Sequence, residues 1–357
     1  MTKARDLARV GSNAEYGLNF RNRIINGDMR IDQRNAGASV NPSTSIPTYM
    51  VDRWVAYQDQ TSKFTVQQNA GGVTAPAGFT NYLGYTSSSA YTVTSGQIFA
   101  TWQAIEGYNI ADLGWGTANA KTVTLSFWVR SSLTGTFGGA LKNTGTRSYP
   151  FSYTISSANT WEQKVVTVAG DTSGTWNTTN GVGIYVNFGL GVGSSYSGTA
   201  GAWSGSNLFS TTGATSVVGT NGATFYLTGV QLEVGSSATP FDTRAYGTEL
   251  ALCQRYYEKS YNIDVAPATD TLAGAVNYDS TSGTYARRSI VFAVSKRANP
   301  TVTLYSKTGT SGQMTVAGVG TSASSFSQGM SGAFAGTGTT IGSNAEIIYH
   351  WTASIEL

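Results

Sequence analysis

Val123-Thr124-Leu125-Ser126-Phe127-Trp128-Val129 sets apolar side chains at the odd positions and mostly polar ones at the even positions until Trp128. A period of two is the pattern of a strand with one face in a core, so this heptapeptide predicts β-structure. Working outward, 53–57, 63–68, 97–105, 121–130, 161–168, 182–188 and 223–234 are short runs of the same texture separated by turn clusters. Strands at this density, with no long helical period among them, predict a β-sandwich. The segment 246–262 holds the one convincing helical pattern, with Thr248 as N-cap and Leu250, Ala251 and Cys253 facing inward. Past it, 272–278, 285–294, 301–305, 313–316 and 347–357 read as strands of a second, smaller β-domain, so the short helix joins two β-units.

Composition agrees with an all-β chain. Of 357 residues, 43 are Gly and 20 are Tyr, while only 11% are charged. Gly supplies the positive φ of tight turns, and Tyr suits a half-buried pleated surface. One Cys and one His remove internal disulfides, thiolate cages and His-pair metal sites from consideration. No stretch approaches the roughly 18 uninterrupted apolar residues of a membrane helix, so no membrane insertion is expected. The start, MTKARDLARVGSNAEYG, lacks the apolar stretch of a secretory signal, and a soluble chain made in a cytosol is expected.

The net charge of +3 resides in residues 1–34, where seven basic side chains meet four acidic ones. Residues 1–20 are too short and polar for a domain and read as an attachment arm, with Lys3, Arg5 and Arg9 as docking candidates. No basic stripe interleaved with aromatics follows, so no nucleic-acid partner is expected.

Catalytic patterns are weak. Gly189-Leu-Gly191-Val-Gly193 follows a strand, but no helix opens after it to face a pyrophosphate. His350 lies in a strand and has no G-x-S-x-G partner motif. The acidic pairs Asp28 with Asp32 and Asp52 with Asp59 read as turn or arginine-paired carboxylates. The chain is expected not to be an enzyme, and to need no cofactor and no catalytic metal.

Aromatic residues are the stronger lead, because the flat C–H faces of sugars pack on rings. The stretch 189–224 is a Gly-rich excursion longer than ordinary loops, either functional or packed by a partner chain. Tyr196 and Trp203 within it, and Trp115 in Leu-Gly-Trp-Gly-Thr, are the candidate exposed platforms for carbohydrate. Packing between domains or subunits is the rival role for all three.

Four stretches resemble bacteriophage tail-fibre and related virion or prophage structural proteins: NRIINGDMRIDQRNAG (22–37), YMVDRWVAY (49–57), FYLTGVQLEVGSSATPFDTRAYGTELALCQRYYEKS (225–260) and KRANPTVTLYS (296–306). The resemblance spans nearly the whole chain in order, and the QLEVG to CQRYY block is its most specific part. It implies an attachment segment at 1–20, a jelly-roll β-sandwich akin to carbohydrate-binding modules at 21–245, and a trimerising distal knob at 246–357. It further implies a homotrimer in the virion tail, docked by its N-terminus on a tail or baseplate protein and binding a host-surface glycan. The alternative is a purely structural tail or head component. Modules of this kind often hold a structural calcium, but Thr228 and Gly229 stand where an Asp is expected, and Asp28 with Glu233 makes no oxygen cage.

Overall fold

The computed structural model describes residues 21–280, 287–338, 341–342 and 344–357. Its contacts divide into two compact units, the first of 21–30, 39–49 and 54–245, the second of 31–38, 50–53 and 246–357. The second unit thus takes in two short segments that the sequence reading gave to the jelly roll.

The described strands of the first unit are β1 (Thr48–Tyr49), β2 (Trp54–Gln58), β3 (Phe64–Gln68), β4 (Leu83–Ser87), β5 (Ile98–Glu106), β6 (Val123–Ser131), β7 (Gly135–Lys142), β8 (Ser148–Ile155), β9 (Glu162–Val168), β10 (Val182–Val192), β11 (Ser197–Gly198), β12 (Ser210–Thr211) and β13 (Thr224–Val234). They form a six-stranded sheet, β1-β2-β5-β10-β7-β8, and a five-stranded sheet, β3-β4-β13-β6-β9. All pairings in these two sheets are antiparallel, the arrangement of a jelly-roll β-sandwich. The sheets meet face to face through aromatic side chains. Phe127 of β6 packs edge-on to Phe188 of β10 at 5.0 Å, Phe137 of β7 stacks on Phe225 of β13 at 6.0 Å, and the Tyr85 hydroxyl of β4 donates to Thr101 of β5 at 2.5 Å.

Two of the resembling blocks meet in this unit. Arg23 N–H donates to Leu232 O and Val230 N–H to Gly27 O, both at 2.9 Å, while Asn22 Oδ1 accepts from Leu232 N–H at 3.1 Å. A Cβ on Gly27 would stand 2.2 Å from the Val230 carbonyl, so only glycine lets the two segments lie this close.

In the second unit the helix, α1 (Tyr246–Gln254), is followed by β14 (Tyr257–Lys259), β15 (Val276–Asp279), β16 (Arg287–Val291), β17 (Thr301–Tyr305), β18 (Gln313–Val316), β19 (Val319–Gly329), β20 (Gly332–Thr337) and β21 (Glu346–Ser354). Thr248 falls inside α1 rather than capping it, and Leu250 and Ala251 are only half-buried; Glu249 and Cys253 are its buried residues. β21 organises the sheet: its first half pairs with β15 and β18, its second half with β14 and β17. The curled sheet encloses a core that includes Ile290, Leu304, Met314, Ile347, Tyr349 and Trp351, giving a smaller β-sandwich.

Beside this core lies a buried ionic cluster to which all four resembling blocks contribute, together with Glu356. Arg53, 1% exposed, and Arg34 both grip the Glu356 carboxylate, and their guanidinium planes lie over Tyr256 and Tyr257 at 3.6 and 3.7 Å. Asp52 accepts from the Gln33 backbone and side chain, and burial pushes its carboxyl up to about 7. Lys296 donates to Glu258 at 2.5 Å.

His350 in β21 is fully buried. Its Nδ1 bonds the Ser260 hydroxyl at 3.1 Å, its Nε2 the Thr271 carbonyl at 3.0 Å, and its ring stacks on Tyr261 at 3.7 Å. Burial lowers its pKa below 6.5. The fold therefore favours neutral His350, and that contribution to stability is present above pH 6.5 and lost as pH falls through the depressed value. Asp52 acts oppositely, its contribution being present below pH 3.8 and lost as pH rises through about 7. Comparison with His350→Gln isolates the first effect: below pH 6.5 the melting temperature of the variant should fall less steeply than that of the parent chain. Parallel curves would contradict the role given to His350.

Candidate functional site

Strand alternation decides what the six-stranded sheet presents on the face away from its partner sheet. In β2, Trp54 points to the core and Tyr57 away from it. In β5, Thr101 and Gln103 point inward and Trp102 outward. In β10, Val186 and Phe188 enter the core while Tyr185 and Asn187 take the outer face. In β7, Leu141 enters the core and Ala140 and Lys142 do not. Register sets Trp102 beside Asn187, and Tyr185 beside Lys142.

The excursion returns over this face. Tyr196 packs edge-on to Phe209 at 5.9 Å, Phe209 edge-on to Trp102 at 6.3 Å, and Trp102 tilts against Tyr57 at 6.1 Å. The Lys142 ammonium lies 4.1 Å from the Phe209 ring centre and 5.4 Å from that of Tyr185, and donates to Asn207 Oδ1. The excursion comes this near because β7 offers it no side chain at Gly138, where a Cβ would stand 2.4 Å from the Ser210 hydroxyl. The segment read as either functional or packed by a partner chain is packed, around Phe209 and Ser210, on its own sheet. Tyr57, Trp102, Tyr185, Tyr196 and Phe209 are all half-buried, leaving ring surface at solvent.

Three groups on this face have shifted pKa values, and for Tyr185 burial raises the hydroxyl above its usual range. The Tyr57 hydroxyl donates to Asp59 at 2.6 Å and is pushed up to about 12, first by that hydrogen bond and then by burial. Burial pushes the Lys142 ammonium down to about 8.

Trp115 and Trp203 lie elsewhere, brought together with Trp176. The three rings pack edge to face at 4.8, 5.3 and 5.5 Å. Every indole N–H is used within the chain: Trp115 donates to Lys121 O, Trp176 to Asp171, and Trp203 to Ala169 O. Arg147 forks onto Asp171 and lies 5.8 Å over Trp203. An open cleft of about 640 Å³ runs beside the cluster, lined by Asn143, Arg147, Trp176 and Asn177 among others.

The exposed platform expected at Trp115 is therefore corrected: its ring is 5% exposed and closes a packed cluster. Trp203 is half-buried in the same cluster, and Tyr196 alone of the three reaches the aromatic face. Lys3, Arg5 and Arg9 lie outside the described residues. Sequence reasoning missed Tyr57, Trp102, Tyr185, Phe209 and Lys142. The signal was available for two of them, since alternation with core-facing Trp54 and Thr101 puts Tyr57 and Trp102 on the opposite face.

The carboxylates considered for catalysis are engaged in structure. Asp28 pairs with Arg30, Asp32 accepts from the N–H groups of Arg34, Asn35 and Gly37, and Asp59 accepts from Tyr57 and the Ile98 N–H. Glu233 accepts from Gln231 and from the Thr239 hydroxyl and N–H. Among the described residues no group of three or more His, Cys, Asp or Glu comes together.

No protein-family description matches the chain, and no curated protein is similar to it. Among solved structures, it is similar to the enzymatically active domain of tailspike protein 4 of bacteriophage CBA120, at 13% identity and a TM-score of 0.31, over 60% of this chain and 22% of that one. It is also similar to a putative sugar-binding protein from Bacteroides thetaiotaomicron, at 12% identity and a TM-score of 0.35, over 60% of this chain and all of that one. A family 11 carbohydrate-binding module from Clostridium thermocellum, solved with a mixed-linked tetrasaccharide, matches at 10% identity and a TM-score of 0.28, over 56% of this chain and 96% of that one. The chain thus spans about a fifth of the length of the tailspike domain.

Proposed function

We propose that this is a non-enzymatic bacteriophage fibre protein whose jelly roll binds a host-surface glycan on the outer face of its six-stranded sheet. The observation that carries the reading is the gathering of Tyr57, Trp102, Tyr185, Tyr196 and Phe209, half-buried, on one face beside Lys142 and Asn207. Rings held by their neighbours offer flat apolar surface to a sugar without losing side-chain freedom on binding, and the polar groups between them set orientation. The engagement of the candidate carboxylates in turns and ion pairs supports the non-enzymatic part of the reading.

The fibre assignment rests on the four resembling stretches. In it the chain is a homotrimer in the virion tail, made in the cytoplasm of the host bacterium and docked on a tail or baseplate protein through the arm carrying Lys3, Arg5 and Arg9. Several copies on one particle turn weak single-site contacts into firm adsorption. The purely structural alternative is favoured by one observation, the tryptophan cluster, whose N–H groups all serve the chain itself.

Trp102→Ala separates the two readings. A central aromatic contact is worth about 2 kcal/mol in a binding site, or roughly thirtyfold in affinity. Titration of host-cell polysaccharide into parent and variant should show that loss with the circular dichroism spectrum unchanged. Equal binding by both proteins would contradict the assignment of this face.

A further inference from the structure

The least expected group on the aromatic face is a lysine with no acid beside it among the described residues. Lys142 is 6% exposed, and its ammonium is held by the Phe209 and Tyr185 rings and one amide oxygen of Asn207. Burial is the one cause of its lowered pKa; among the described residues no carboxylate is close enough to raise it again. An ammonium carries three donors, and a neutral amide takes one of them here. Taking such a charge out of water is costly unless it is paired, so an apolar residue of similar length would serve packing better.

A second unspent group lies one diagonal step away on the same face. Asn187, 1% exposed, donates through its amide to Ala140 O, but its Oδ1 has no hydrogen-bond partner among the described residues. Register sets Tyr185 opposite Lys142 and Asn187 opposite Ala140, so Lys142 and Asn187 are diagonal neighbours on one face of the sheet. Asn187 Oδ1 is closed to solvent, so the unmet charge a ligand would answer on this face is that of Lys142, flanked by rings.

We propose that the glycan bound by this face contains a carboxylate-bearing sugar of the hexuronate type, its carboxylate taken by Lys142. This rests on the glycan-binding reading above and adds the ligand's charge to it. A single ammonium matches a single negative charge, and a charge-assisted hydrogen bond in a partly dry site discriminates strongly against the neutral analogue.

The test titrates the full-length protein with a hexuronate polymer and with the same polymer after its carboxyls are reduced to alcohols. The parent chain should bind the acidic polymer about ten- to a hundredfold more tightly. Lys142→Met, which keeps the buried stem, should bring the ratio of the two affinities down to about one, because the charge that separates the two polymers is gone. The parent's preference should also fade as pH rises past about 8, by about a decade per pH unit, because the free ammonium loses its proton there. This pH arm needs no variant to fold.

If the parent binds both polymers equally, with Trp102→Ala weakening both, the face binds sugar and the acidic inference is overturned. A stronger preference for a sulfated form of the reduced polymer would overturn the assignment to a carboxylate. If neither polymer binds, and neutral host polysaccharide does not bind either, both the inference and the glycan reading fall.

Discussion

Glu356→Gln should lower the stability of the second unit by about 3–5 kcal/mol, the effect of breaking a buried ion pair from one side. Glu356 receives the guanidinium groups of Arg34 and Arg53, and its side chain is 8% exposed. The glutamine keeps the shape but removes the charge, leaving the buried Arg53 and the half-buried Arg34 against a neutral amide. Their stacking on Tyr256 and Tyr257 persists, so the loss reports the charge and not the packing. Denaturant unfolding of parent and variant measures it. A double-mutant cycle with Arg53→Met should show strong non-additivity, because the second change removes one of the cations the first left behind. A loss of less than about 1 kcal/mol, the range of exposed pairs, would contradict the account of this cluster.

The second large effect is in the sandwich core. Phe188 is fully buried and touches both sheets, packing edge-on to Phe127 at 5.0 Å and to Phe151 at 6.1 Å and tilting against Trp54 at 6.4 Å. Phe188→Ala removes a ring that these neighbours cannot replace, and should cost about 3–5 kcal/mol. Because Phe188 follows Asn187 in β10, the cavity also loosens the strand that floors the aromatic face, so glycan affinity should fall with stability. Equilibrium unfolding together with a binding titration checks both. Unchanged stability would mean that Phe188 does not bridge the sheets as described.

Alternation made much of this fold legible before any coordinates. The segment 123–129 became β6, and the runs near Trp54, Phe64, Ile98, Glu162, Val182 and Thr224 became strands at nearly the expected bounds. β7, β19 and β20 were not legible, because Gly, Ser and Ala carry no period for a pattern to show. β10 runs on to Val192 through glycines that read as loop. The candidate site was harder still. Tyr196 was readable as an aromatic in a polar segment, whereas Trp102 and Tyr57 lay in strands where a ring ordinarily means core. Trp115 failed for the opposite reason: its Gly-rich surroundings suggest exposure, but Trp176 and Trp203 arrive from distant sequence to bury it. Lys142 carries no local signal, since its meaning comes from Phe209 and Asn207, which the chain brings back from far along the sequence.

The central claim is that this chain adheres to a cell-surface glycan, and intact host cells test it most directly. Fluorescently labelled full-length protein is applied to cells before and after periodate oxidation of their surface sugars, with Trp102→Ala in parallel. The account predicts saturable binding that periodate abolishes and that the variant has largely lost. Binding that survives periodate, or no binding by a folded protein to any bacterial cell surface, would contradict it and leave the structural role as the better explanation.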